Sequence, residues 1–106
     1  MTRKAECRKR YSSEMALLNQ TKRLLRRSGL KPRKSLGQHF LVDEEVLQAV
    51  ASAAELTTND VVMEIGPGLG VLTRELAKRA GQVVSVELDS FLSSALRQTL
   101  ASLENV

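Results

Sequence analysis

Cysteine occurs once in these 106 residues, at Cys7, so no disulfide can form within the chain. Glu6, Arg8 and Lys9 flank that thiol and no histidine is near, which marks an incidental reduced cysteine rather than a nucleophile. A reducing, intracellular setting fits. No apolar run approaches the roughly 18 residues needed to cross a bilayer. The basic first residues lead into no apolar signal-peptide core. No G-x-x-x-x-G-K-[ST] is present, which excludes a phosphate loop for ATP or GTP. Tryptophan is absent and aromatics are few, but the charged and apolar fractions are those of an ordinary globular protein. The length suits one small domain, without internal repeats or low-complexity stretches.

Positive charge is present in excess, and it is unevenly placed. Residues 1–34 hold 12 of the 16 Lys and Arg and only two acids, Glu6 and Glu14, for a net +10. Residues 35–106 hold the other four basic residues against ten acids, for a net −6. A basic arm is thus joined to an acidic body, and such asymmetry points to a polyanionic partner for the arm.

Within the arm, Ser12 or Ser13 can cap a helix running to about Ser28, with Met15, Leu18 and Leu25 on one face and Gly29 as its stop. Lys22, Arg23, Arg26 and Arg27 load its second half with charge. Lys31-Pro32-Arg33-Lys34 reads as a linker, because Pro32 disfavours helix for the residue before it. After the mixed segment 35–41, Asp43 is a natural N-cap with Glu44 and Glu45 in the first turn. Val46, Leu47, Val50, Ala53 and Ala54 form the expected apolar face of a helix ending near Leu56. Thr57-Thr58-Asn59-Asp60 is a turn. Val61–Ile65 reads as a buried strand, 66–70 as a tight glycine loop, and the next residues as a helix with Leu72, Leu76, Ala77 and Ala80 inward. Val83–Val86 is a second strand. Asp89 or Ser90 can cap a last helix with Phe91, Leu92, Ala95, Leu96 and Leu103 inward. Strand, loop, helix and strand make one βαβ unit, so the fold class is α/β, with the ligand expected at the carboxyl ends of the strands.

The chemistry sits at that end. A strand delivers the chain to Gly66, where backbone must pass close to a ligand and turn at once; Gly66, Gly68 and Gly70 leave that approach open. A plain strand-to-helix turn is the alternative. Glu87 favours the ligand: it ends the second strand, 17 residues beyond Gly70, where a carboxylate can accept hydrogen bonds from both hydroxyls of a ribose. The spacing is G-x-G-x-G, with Val71 where the dinucleotide fingerprint places its third glycine, which weakens a nicotinamide-dinucleotide reading.

Glu64-Ile65-Gly66-Pro67-Gly68-Leu69-Gly70 resembles the first motif of class I S-adenosylmethionine methyltransferases. Ser35-Leu36-Gly37-Gln38-His39-Phe40-Leu41 resembles the segment that precedes it in rRNA adenine dimethyltransferases, and Val86-Glu87-Leu88-Asp89 resembles that family's ribose-binding acid. The three follow in the family's order, and the likeness covers roughly residues 31–106. It implies an incomplete class I (Rossmann-like) methyltransferase fold carrying a basic helical arm, with residues 1–34 as the arm and 35–106 as the front of the S-adenosylmethionine-binding domain. Gly66 would contact that cofactor through its backbone, Glu87 would bind the ribose, and His39 and Leu41 would line the methionine and adenosine side of the pocket. His39 stands where the family often has Asn, and an imidazole can still donate or accept one hydrogen bond.

The family's catalytic motif, Asn or Asp followed by Leu-Pro-Tyr, does not occur in the 106 residues, so the expected reading is a fragment with no catalytic residue of its own. The implied activity of the whole is dimethylation of adenosine N6 in small-subunit rRNA, on a pre-30S ribosomal particle, by a cytoplasmic monomer needing neither membrane nor metal. The resemblance also admits a large-subunit enzyme of the macrolide-resistance type and a non-catalytic RNA-binding truncation. The basic arm would contact rRNA phosphates; its composition also fits an organellar transit peptide.

Overall fold

Each element in the computed structural model can be traced to a local signal. The structure describes residues 19, 22, 23, 25–27, 29 and 43–106. Asp43 is the N-cap of helix α1, Glu44–Ala53, and its side chain accepts a hydrogen bond from the Val46 amide at 3.1 Å. Asp60 closes the following turn by accepting from both the amide and the hydroxyl of Thr57. Strand β1, Val61–Ile65, then leads through the glycine loop into helix α2, Val71–Ala77, and on to strand β2, Gln82–Val86. Asp89 caps helix α3, Ser90–Thr99, accepting from the amides of Phe91 and Leu92.

The strands pair in parallel with Val61 opposite Gln82 and Ile65 opposite Val86. This register puts Val62, Glu64, Val83 and Ser85 on one face and Val61, Met63, Ile65, Val84 and Val86 on the other. Helix α2 covers the first face. Leu76, Ala80 and Val83 form its buried centre, with Leu56, Val62, Leu72 and Ala77 packed around them. Helix α1 packs on α2. Helix α3 buries Leu92 and Leu96, with Leu100 just beyond it, and its end is tied to α2 by the Arg74 guanidinium, which donates to the Thr99 carbonyl at 3.1 Å.

Three expectations need correction. Strand β1 is not buried on both sides: Val61, Met63 and Ile65 are exposed, Ile65 by 73%. Helix α2 covers the opposite face, and these alternate strand residues remain in solvent. Helix α1 buries Leu47 and Ala51, whereas Val46, Val50 and Ala53 are exposed. The apolar stripe is wider than the contact with α2, and only one margin of it is used. In α3, likewise, Phe91 at the start is exposed, while Leu100 just beyond the other end, outside the expected set, is buried.

The last residues return to β2. The Val83 amide donates to the Asn105 carbonyl at 2.7 Å, and the Asn105 side-chain amide donates to the carbonyls of Ala77 and Ala80. The Val86 carbonyl, in contrast, accepts from Gly66 on the β1 side. Backbone groups alternate along a strand, so the N–H and C=O groups of Val83 and Ser85 point away from β1, while their side chains lie on the helix-covered face. Both residues border a cleft of about 530 Å³ lined also by Leu96, Leu100 and Leu103.

Of the arm, Asn19, Lys22, Arg23, Leu25, Arg26 and Arg27 are helical, and Gly29 follows with φ +62°. Lys22, Arg23, Arg26 and Arg27 are exposed and Leu25 is half-buried, so the described part agrees with a charged helix stopped by Gly29.

Candidate cofactor site

Three left-handed glycines shape the loop. Gly66, Gly68 and Gly70 have φ of +73°, +58° and +79°, a region side-chain-bearing residues enter at a cost. Their surroundings differ. A Cβ at Gly66 would meet nothing within 4 Å, so the loop is open to a ligand there. A Cβ at Gly70 would lie 3.0 Å from the side chains of both Leu96 and Leu100, so that glycine serves the seating of α3. The Gly70 amide donates to Pro67 O at 2.9 Å and closes the turn.

Glu87 comes to the loop from β2. One carboxylate oxygen accepts from the Gly68 amide at 3.3 Å, and the other accepts from the Asp89 amide at 3.0 Å. The side chain is half-buried, so part of its acceptor capacity still faces solvent. The structure therefore brings together Gly66 and Glu87, two of the four residues read from the sequence. His39 and Leu41, the other two, lie outside the described residues, as does the whole segment 35–41.

Glu64 enters the site from below. Its carboxylate is 9% exposed on the helix-covered face, and one oxygen accepts both the Thr73 hydroxyl at 2.5 Å and the Ser85 hydroxyl at 3.2 Å. Burial pushes its pKa up, and the two hydroxyls offset part of that rise. Thr73 is fully buried. Neither Thr73 nor Ser85 was marked by the sequence, because their partnership with Glu64 spans 9 and 21 residues and belongs to no periodic pattern.

Parallel strands joined through a glycine loop, with an acid of the second strand on that loop, form part of a Rossmann-like α/β fold of the kind methyltransferases use. The chain belongs to the ribosomal RNA adenine dimethylase family, whose pattern it matches over residues 29–106. It is 52% identical over 92 residues to the ribosomal RNA small subunit methyltransferase A of Moorella thermoacetica, a match covering 87% of this chain and 32% of that relative. It is 48% identical over 94 residues to the protein of the same name from Dehalococcoides mccartyi, covering 89% and 32%. Among solved structures it is similar to the 23S rRNA methyltransferase ErmE, with TM-score 0.62 and 46% identity over 63% of this chain and 28% of that one. A dimethyladenosine transferase from Plasmodium falciparum follows, with TM-score 0.58 and 32% identity over 63% and 26%. The chain thus spans about a third of the length of the curated relatives it matches.

Proposed function

We propose that this chain forms the cofactor-binding front of an rRNA (adenine-N6,N6)-dimethyltransferase that acts on small-subunit rRNA with S-adenosylmethionine. The observation that carries the reading is the contact between Glu87 and the Gly68 amide, beside an open Gly66. A nucleoside laid against the Gly66 backbone would meet a carboxylate at ribose height, with acceptor capacity to spare. An unobstructed backbone at Gly66 and a half-buried carboxylate at Glu87 support the fit of a ribose-bearing cofactor.

In this reading Glu87 accepts the ribose hydroxyls and so fixes where the rest of the ligand points. Gly66 lets the backbone approach without a side chain in the way. His39 and Leu41, which lie outside the described residues, would line the methionine and adenosine side, as the family resemblance implies. When bound, the cofactor supplies an electrophilic methyl group on a sulfonium. Holding acceptor amine and donor in line is the main contribution such a site makes, since placement alone removes much of the barrier. The target base has to leave its stack to reach the site. Lys22, Arg23, Arg26 and Arg27, exposed on the arm, supply phosphate contacts to rRNA, within residues 1–34, while residues 35–106 begin the methyltransferase domain.

The curated relatives are named for the small subunit. The likeness to ErmE supports a second reading, methylation of large-subunit rRNA. A chimera in which residues 29–106 replace the matching third of the Moorella relative tests the first reading's cofactor-binding part: it is expected to transfer labelled methyl to undermethylated small subunits, and a folded chimera without transfer would contradict it. The subunit preference is tested on the whole protein that carries this chain, assayed on undermethylated small and large subunits; preference for large ones would establish the second reading. A polypeptide of these 106 residues alone is expected to transfer none, and turnover by it would contradict the placing of the catalytic motif outside them.

A further inference from the structure

Three hydroxyl and carboxylate side chains sit at measured steps from the loop. Glu64 lies two residues before Gly66, Thr73 three residues after Gly70, and Ser85 two residues before Glu87. One Glu64 oxygen takes the hydroxyl hydrogens of both Thr73 and Ser85. That single atom therefore joins β1, α2 and β2 at the three points where they enter and leave the site. A carboxylate kept in a buried helix–sheet contact is costly unless hydrogen-bonded, and an apolar residue would fill the space more cheaply. The geometry is that of a strut: the carboxylate is turned into the layer between sheet and helix.

We propose that Glu64 is a positioning residue, which through Thr73 and Ser85 holds the glycine loop and Glu87 in the relative placement that cofactor binding needs. The proposal rests on the reading of this loop as the cofactor site. Loosening the strut would let the Gly66–Gly70 turn and the end of β2 move independently, and the Gly68 amide would lose its fixed distance to Glu87. What the strut requires is an acceptor oxygen rather than a negative charge. An amide oxygen can accept both hydroxyls, so Gln is a sufficient replacement and Ala is not.

Amide hydrogen exchange in the 106-residue chain tests this, because Gly66, Gly68 and Gly70 each donate a hydrogen bond in the loop, to Val86, Glu87 and Pro67. Glu64→Ala is expected to speed exchange at these three amides about tenfold, as loss of a buried acceptor does locally. The Ala80 amide, bonded to Leu76 in the core, should keep its rate. Glu64→Gln should stay close to the original chain, and Thr73→Val, equal in shape but lacking the hydroxyl, should loosen the same three amides. Should Glu64→Ala fail to fold, Thr73→Val carries the test. Unchanged loop exchange in the Ala and Val variants, or equal acceleration at Ala80, would overturn the proposal; so would Glu64→Gln behaving like Glu64→Ala. A second readout, titration with S-adenosylhomocysteine, should weaken in the same order as the loop loosens. If the variants loosen the loop while the original chain shows no response to S-adenosylhomocysteine, the strut stands and the cofactor reading fails.

Discussion

Glu87 spends one carboxylate oxygen on the glycine loop and the other on the turn that follows it. Its position was legible in the sequence because an acid closing the second strand of a βαβ unit has few other reasons to be there. Glu87→Ala removes a charged acceptor to two hydroxyls and should cost about 1.5–3 kcal/mol, or on the order of tenfold to a hundredfold in cofactor affinity. Calorimetry with S-adenosylhomocysteine on the chimeric enzyme measures it, and an unchanged affinity would mean the ribose is held elsewhere. Glu64 makes a different prediction. Burial raises its pKa in the folded chain above the ordinary value of 4.5, so the folded state holds that proton to higher pH than the unfolded state does. Stability is then greatest below the ordinary value and falls as pH rises through the raised one. Glu64→Gln, which never ionises, should lack that decline. Its unfolding midpoint should exceed that of the original chain at neutral pH, with the gap closing toward pH 4; a gap independent of pH would show that ionisation of Glu64 costs nothing. The sequence marked Glu64 only as the residue that opens the methyltransferase-like motif; its two hydroxyl partners, 9 and 21 residues away, were not legible there.

At the scale of elements, capping residues carried the most information. Asp43 and Asp89 each precede an apolar-periodic stretch, and each accepts amides of the first turn as expected. Which residues of a helix are buried was less legible, because it depends on a neighbour distant in sequence. Helix α1 offers Val46, Leu47, Val50 and Ala51 to any partner, and the position of α2 selects Leu47 and Ala51. The arm is the element whose role rests on charge. Its exposed cations should give RNA binding a steep salt dependence. Each phosphate contact contributes roughly 0.7–0.9 to the slope of log affinity against log salt. Comparing residues 1–106 with residues 35–106 on a small-subunit rRNA transcript should show the slope flattening on deletion. Equal slopes would reduce the arm to a solvated helix.

The whole molecule shows an asymmetry that no single element reveals. One sheet face is covered by α2, while the other carries Val61, Met63, Ile65, Val84 and Val86 in solvent, continued by Leu88, which is 86% exposed. Among the described residues, strand β2 makes one outward hydrogen bond, from Val83 to Asn105, and its Ser85 backbone borders the cleft. Contiguous apolar surface and an open strand edge both promote association. Sedimentation of the 106-residue chain should therefore show mass rising with concentration. Met63→Lys with Ile65→Lys should suppress this, and a monomer at all concentrations in the original chain would show that the face is covered in solution.

The glycine loop and Glu87 are proposed to bind the nucleoside part of S-adenosylmethionine together. Nuclear magnetic resonance of the 106-residue chain, titrated with S-adenosylhomocysteine up to millimolar concentration, tests it most directly because weak binding is still visible. The expected result is a saturable shift of the Gly66, Gly68, Glu87 and Leu88 amides, with little change at Ala80 and Leu47, and its loss in Glu87→Ala. A spectrum that does not respond at the loop, or responds equally in Glu87→Ala, would contradict the account.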